Sequence, residues 1–217
     1  MKLSDRLRQD SETIWKKIYN HPFVVELFDG TLPERKFRFY ILQDYNYLIS
    51  SIKNFSLLAS RAPDEKSLIE VAEMAYMEAT GEFEGYRSFL EKMGLSVEEA
   101  QGQEMMQTGL SYVSFLLSTS SLKTFQEGMA AVLPCYWSYQ EIAAYHGDKI
   151  RGMESEIYRE WASYYLEDEY IELVDRIRAL VDRTGTGFPY EKLREVFINA
   201  SRYELNFWDA VYREGIT

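Results

Sequence analysis

The spacing of apolar residues along this chain admits one kind of regular structure. Phe37, Ile41, Tyr45, Leu48, Ile52, Phe55 and Leu58 recur at steps of three and four, the period of a helix with one buried face. No segment alternates apolar and polar residues over the length of a strand. Thr31-Leu32-Pro33-Glu34 opens this long helix. Thr31 is a candidate cap, Pro33 sits where its missing N–H costs least, and Glu34 faces the positive end of the helix dipole. The helix ends near Arg61. Ahead of it, Leu3, Leu7, Ile14 and Ile18 lie close to one face of a first helix ending near Asn20, and 23–28 is a short helix stopped by Gly30. After the turn at Ala62-Pro63-Asp64, the pattern predicts helices over about 65–93, 109–119, 121–146, 151–166, 168–183 and 190–213. Ser96 with Glu99 reads as a capping box, and the serines of 118–121 as a break. Thr184-Gly185-Thr186-Gly187 is the clearest loop. The class is all-α, a bundle of about nine helices, two or three of them short.

With 46% hydrophobic residues, 5 prolines and 12 glycines spread thinly, and no internal repeat, residues 1–217 are expected to form one domain. The formal net charge of −11 argues against nucleic acid, whose phosphates need Lys and Arg, and against an anionic membrane surface. There is no apolar run of ~18 residues that could span a bilayer and no signal-like segment at the start. The single cysteine permits no internal disulfide, so the expected location is cytoplasmic. His21 and His146 are the only histidines. Two are too few for most histidine-rich metal sites, and neither follows a glutamate at the Glu-x-x-His offset of di-iron bundles. No metal and no cofactor is expected.

Four places combine a reactive side chain with aromatics at helical spacing. Asp44 sits within the apolar stripe of the long helix, with Tyr47 one turn on. A carboxylate on an inward face needs a partner, either an Arg or Lys from another helix or a ligand. Tyr112 is either a buried tyrosine with a satisfied hydroxyl or a pocket group. Cys135 and Tyr139 share a face one turn apart in Pro134-Cys135-Tyr136-Trp137-Ser138-Tyr139, where the proline predicts a kink or break. A lone thiol there is a small buried hydrophobe or a nucleophile, and a nucleophile needs a nearby base. Glu204 shares a face with Phe207 and Trp208; it is either the edge of an amphipathic C-terminal helix or a carboxyl among aromatics, which tends towards a raised pKa suited to proton transfer. A thiol, two carboxyls and several tyrosines on inward faces suit nucleophilic chemistry on a flat, nitrogen-rich ring.

The order and spacing of three segments resemble one family. His21-Pro22-Phe23, Gly30-Thr31-Leu32-Pro33 and Gln43-Asp44-Tyr45-Asn46-Tyr47-Leu48 follow its N-terminal pattern. Leu133-Pro134-Cys135-Tyr136-Trp137-Ser138-Tyr139-Gln140-Glu141-Ile142 follows its signature, and Tyr203-Glu204-Leu205-Asn206-Phe207-Trp208-Asp209 its C-terminal motif. By these the chain is similar to the TenA family, the thiaminase II or aminopyrimidine aminohydrolases of thiamin salvage, over nearly its whole length. The resemblance implies a heme-oxygenase-like helical bundle without heme, assembled as a homotetramer. It implies hydrolysis of 4-amino-5-aminomethyl-2-methylpyrimidine to the hydroxymethylpyrimidine with release of ammonia, and in many members a weaker cleavage of thiamin. Carried over by motif, Cys135 is the nucleophile of the family's cysteine branch. Asp44 binds ring nitrogen and exocyclic amine, and Glu204 moves protons. Tyr112 and Tyr139 hydrogen-bond the ring, while Tyr47 and Phe207 line the pocket. A further tyrosine follows a tryptophan in the family, which points to Tyr165 beyond Trp161, with Tyr164 beside it. Two departures stand out: Ala143 where a glycine is common, and no histidine in 78–86. A non-enzymatic pyrimidine-binding or regulatory module on the same fold is the competing expectation.

Overall fold

The computed structural model describes residues 1–214. Among them there is no strand, and helices follow one another in the order that the periodicity requires. The first expected helix is two: α1 (Leu3–Asp10) and α2 (Glu12–Tyr19). Ser11 parts them, its hydroxyl donating to the Leu7 carbonyl at 3.2 Å, a local bond that competes with the helical ladder and bends the chain. α3 (Pro22–Phe28) stops before Gly30, which takes a φ of 71°. α4 (Glu34–Ser60) follows, but Thr31 does not cap it. Pro33 holds the N-cap position without a side-chain bond, and the Thr31 hydroxyl turns back to the Glu26 carbonyl at 3.4 Å.

The expected helix over 65–93 is broken in the middle. α5 (Glu65–Met77) passes into a π-helical turn over Glu78–Glu82 before α6 (Phe83–Lys92) resumes. The wider turn adds a residue and changes the face presented beyond it. Both Glu78 and Tyr86 therefore face inward. The capping box of Ser96 and Glu99 opens α7 (Val97–Gly102) as expected.

α8 (Gln107–Leu122) runs through the serines that read as a break. Their hydroxyls are absorbed by the helix itself, as Ser118 shows by donating to the Phe115 carbonyl at 3.0 Å. The break comes one step later, at a second capping box of Thr124 and Glu127 that starts α9 (Phe125–Tyr145). α9 continues through Pro134. One backbone bond is lost there, and packing on α8, α12 and α13 outweighs it. The remaining helices are α10 (Gly147–Ile150), α11 (Glu156–Tyr164), α12 (Asp168–Thr184) and α13 (Tyr190–Glu214).

α13 lies along α9, and α4 packs on α5 and α8. The core between them is aromatic: Tyr40 stacks on Trp208 at 5.5 Å, and Trp208 meets Tyr139 at 5.3 Å. Among the described residues, no helix is long and apolar enough to cross a membrane.

Candidate active site

A small cavity of about 10 Å³ lies where α4, α8, α9 and α13 meet, lined by Asp44, Tyr47, Tyr112, Cys135, Tyr139, Glu204 and Phe207. Each pair from one helix is spaced at three or four residues: Asp44 and Tyr47, Cys135 and Tyr139, Glu204 and Phe207. This spacing places both members of a pair on the same inward face. Seven of the eight residues named from sequence therefore converge. The eighth, Tyr165, stands behind the wall, with its ring 5.0 Å from Tyr139 and 4.9 Å from Trp161. Tyr164 lines a separate outer cleft beside Tyr170.

The cavity has two electrostatic ends. At one, Asp44 is 6% exposed and has no cationic partner among the described residues. It accepts a hydrogen bond from Tyr40 at 3.1 Å and a short one from Tyr86. The Tyr40 and Tyr86 hydroxyl oxygens lie 2.8 Å apart, and Trp161 donates to the Tyr40 hydroxyl at 3.2 Å. Burial pushes the Asp44 carboxyl up to about 6, against the pull of its two tyrosine donors. Sequence reasoning missed Tyr40 and Tyr86. Tyr40 was findable, one turn before Asp44 on the same face. Tyr86 stands in the stretch where the expected histidine is missing, and the π-turn that brings it inward leaves no mark in the apolar pattern.

At the other end, Tyr112 donates to Glu204 at 2.6 Å. Glu204 is 2% exposed. Burial raises its carboxyl to about 7; the Tyr112 hydrogen bond opposes this, the Asp44 charge adds to it, and a hydrogen bond from Cys135 opposes it. The Cys135 side chain is half-buried and also within hydrogen-bond reach of Tyr47. Burial lifts the hydroxyls of Tyr47, Tyr112 and Tyr139 well above the ordinary phenol range, so all three stay protonated donors. Tyr203 stacks on the back of Tyr112 at 5.2 Å and 6°, fixing that ring. A thiol beside a carboxyl poised near neutrality is the pairing that a nucleophile needs.

The two histidines are elsewhere and occupied. His21 caps α3, accepting from the Phe23 N–H at 3.2 Å, and His146 Nε2 lies 2.9 Å from the Tyr19 carbonyl oxygen. Among the described residues, no three His, Cys, Asp or Glu side chains are grouped to hold a metal ion.

This chain is similar to known proteins along its whole length. An aminopyrimidine aminohydrolase from Halalkalibacterium halodurans is 33% identical over 221 residues, covering 99% of this chain and 97% of that protein. A solved TenA homologue from P. horikoshii OT3 is 44% identical, covers 98% of this chain and 99% of its own, and superposes with a TM-score of 0.94. A domain with a heme oxygenase-like fold from Shewanella denitrificans OS217 superposes with a TM-score of 0.80 at 16% identity, covering 97% of this chain and 92% of its own. At that identity the likeness speaks for the fold alone, and the fold is heme-oxygenase-like. A model of the TENA/THI-4/PQQC family matches residues 8–214, which takes in all three sequence motifs and every wall of the cavity, and the chain belongs to that family.

Proposed function

We propose that this chain is an aminopyrimidine aminohydrolase of thiamin salvage. It would convert 4-amino-5-aminomethyl-2-methylpyrimidine and water to the hydroxymethylpyrimidine and ammonia, with Cys135 as nucleophile. The observation that carries the reading is the shared reach of Glu204 and the Cys135 thiol inside a cavity that Asp44 also lines. Asp44 accepts from the exocyclic amine and, when protonated, donates to the adjacent ring nitrogen, while Tyr47 and Phe207 enclose the flat faces. Tyr139 donates to the ring, and Tyr112, whose proton is given to Glu204, can only accept from it.

The Glu204 carboxylate takes the thiol proton, and the sulfur adds to an electron-poor ring carbon. The displaced ring electrons expel the amine from the aminomethyl carbon as Glu204 returns that proton to it, releasing ammonia and leaving an exocyclic methylene. Water adds to the methylene and gives a proton to Glu204. The ring double bond re-forms, the carbon–sulfur bond breaks, and the departing thiolate recovers the proton. Covalent addition thus divides one hard displacement into easier steps, and one carboxyl near neutrality serves as base and acid in turn.

Tyr165 supports Tyr139 in this scheme rather than touching the ring. A cytoplasmic homotetramer is part of the same reading, drawn from the family resemblance. Exposed Tyr76, Leu122 and Tyr145 supply apolar surface for it, and light scattering measures its mass. The test of the function is ammonia release from the aminomethyl pyrimidine and from thiamin, with Cys135→Ser as control. Release by the wild type alone, with pyrimidine binding retained in the variant, is expected. Full turnover by Cys135→Ser would remove the nucleophile role. Binding without release by the wild type would make the chain a pyrimidine-binding module.

A further inference from the structure

A further buried carboxyl, Glu78, lies outside the cavity. It stands at the start of the π-turn and is 1% exposed. Its Oε2 accepts a short hydrogen bond from the Tyr136 hydroxyl, and its Oε1 has no hydrogen-bond partner among the described residues. Ser51 of α4 lies 2.9 Å from the same Tyr136 hydroxyl. A buried carboxyl with neither cation nor full complement of donors is an expensive residue, and an apolar side chain of similar volume would stabilise the fold more. Burial pushes this carboxyl upward, its Tyr136 and Ser51 hydrogen bonds oppose that, and the Asp44 charge adds to it.

What Glu78 holds is the turn of α9 that carries the thiol. Tyr136 follows Cys135, and Pro134 precedes it. Proline has no N–H, so the helical ladder is one bond short at this point, and the rotation of the next residues about the helix axis is less constrained by backbone. Side chains make up the difference at residue 136. Its hydroxyl is gripped by Glu78 and Ser51, and its carbonyl accepts from the Tyr170 hydroxyl at 3.1 Å. Its ring packs 5.6 Å from Phe55 and 6.4 Å from Tyr170. A rotation of this turn would swing Cys135 away from Glu204.

We propose that Glu78 is a positioning residue for the reaction, acting through Tyr136 to fix the rotational setting of the α9 turn so that the Cys135 thiol meets Glu204. This rests on the aminohydrolase reading for its kinetic test and on geometry alone for its chemical one. The π-turn gains a purpose in this account, since a straight continuation of α5 would not direct Glu78 and Tyr86 to the same face.

The test compares Glu78→Leu, Glu78→Gln, Tyr136→Phe and the Glu78→Leu/Tyr136→Phe double variant. The amide of Glu78→Gln still accepts from Tyr136, so kcat should stay within about twofold of wild type, while Glu78→Leu and Tyr136→Phe should each lower kcat by about tenfold with KM within about twofold. The double variant should lose no more than either single, because both remove one link. Tyr136→Phe, which keeps the ring, carries the test by itself if Glu78→Leu does not fold. Wild-type kcat in Glu78→Leu or Tyr136→Phe, or losses that multiply in the double variant, would overturn the proposal. The rate of Cys135 alkylation by iodoacetamide is read in the same proteins without substrate. It should change in Glu78→Leu and Tyr136→Phe and be held by Glu78→Gln. Altered alkylation in Glu78→Leu and Tyr136→Phe, together with a wild-type protein that releases no ammonia, would sink the aminohydrolase reading and leave the positioning role standing; unaltered alkylation in both variants would sink the positioning role whatever the activity.

Discussion

Tyr112 on α8 donates a 2.6 Å hydrogen bond to Glu204 on α13, and Glu204 is at the same time within hydrogen-bond reach of Cys135 on α9. Three helices remote in sequence thus share one carboxyl. The tyrosine stabilises the charged form of Glu204 while burial favours the neutral one, and the balance leaves the group close to neutrality.

That balance predicts a pH profile. Turnover begins with ionised Glu204, so kcat/KM should fall as pH drops through about 7. Tyr112→Phe removes a hydrogen bond to the charged form, so the carboxyl rises further, and the acid limb should move up by roughly one pH unit. Rate profiles between about pH 5 and 9 check this. An unmoved limb would mean that another group sets it.

Stability should respond in the opposite sense to activity. The Glu204 carboxyl has an ordinary value of 4.5 and is held up to about 7 in the fold. The folded state therefore keeps this proton where the unfolded chain has lost it. Its contribution is present in full below 4.5 and is lost as pH rises to about 7. Glu204→Gln has no proton to lose, so the variant should match wild type near pH 4.5 and exceed it at about pH 8 by on the order of 3 kcal/mol, while losing turnover. Denaturant midpoints at the two pH values measure the difference. Equal midpoint shifts at both would contradict it.

Asp44 depends on Tyr86 for a donor supplied by a different helix. Tyr86→Phe leaves only Tyr40, so burial is less opposed and the carboxyl moves above about 6. A less ionised Asp44 accepts less strongly from the exocyclic amine. KM for the aminomethyl pyrimidine should rise by roughly three- to tenfold with kcat little changed. A fall in kcat at constant KM would assign Tyr86 to the chemical step instead.

The helix that carries Cys135 comes close to its neighbours at Gly128. A Cβ there would lie 2.5 Å from Leu58 Cδ2 and 3.2 Å from Ser120 Oγ, both in buried residues. Gly128→Ala gains helix propensity but overpacks this contact. A net loss of about 1–2 kcal/mol is expected in thermal or denaturant melts. A stabilised variant would show that α4 and α9 can part there without cost.

The sequence by itself determined the class of the fold and the inward faces of its helices. The stripe from Phe37 to Leu58 is enough to make α4, and the motif spacings are enough to put Asp44 with Tyr47, Cys135 with Tyr139, and Glu204 with Phe207, because a helix sets which residues share a face. It did not determine where hydroxyls would bend or continue a helix. Ser11 breaks one, while the serines of 118–121 do not; the choice depends on what packs around each. Nor did it determine the partners of the buried carboxyls. Only tertiary structure decided that Asp44 would face tyrosines instead of a cation, that Tyr165 would stand behind Tyr139, and that Glu204 would lie beside the thiol. Burial and the meeting of four helices fix those relationships, and neither is carried by the period of any single one.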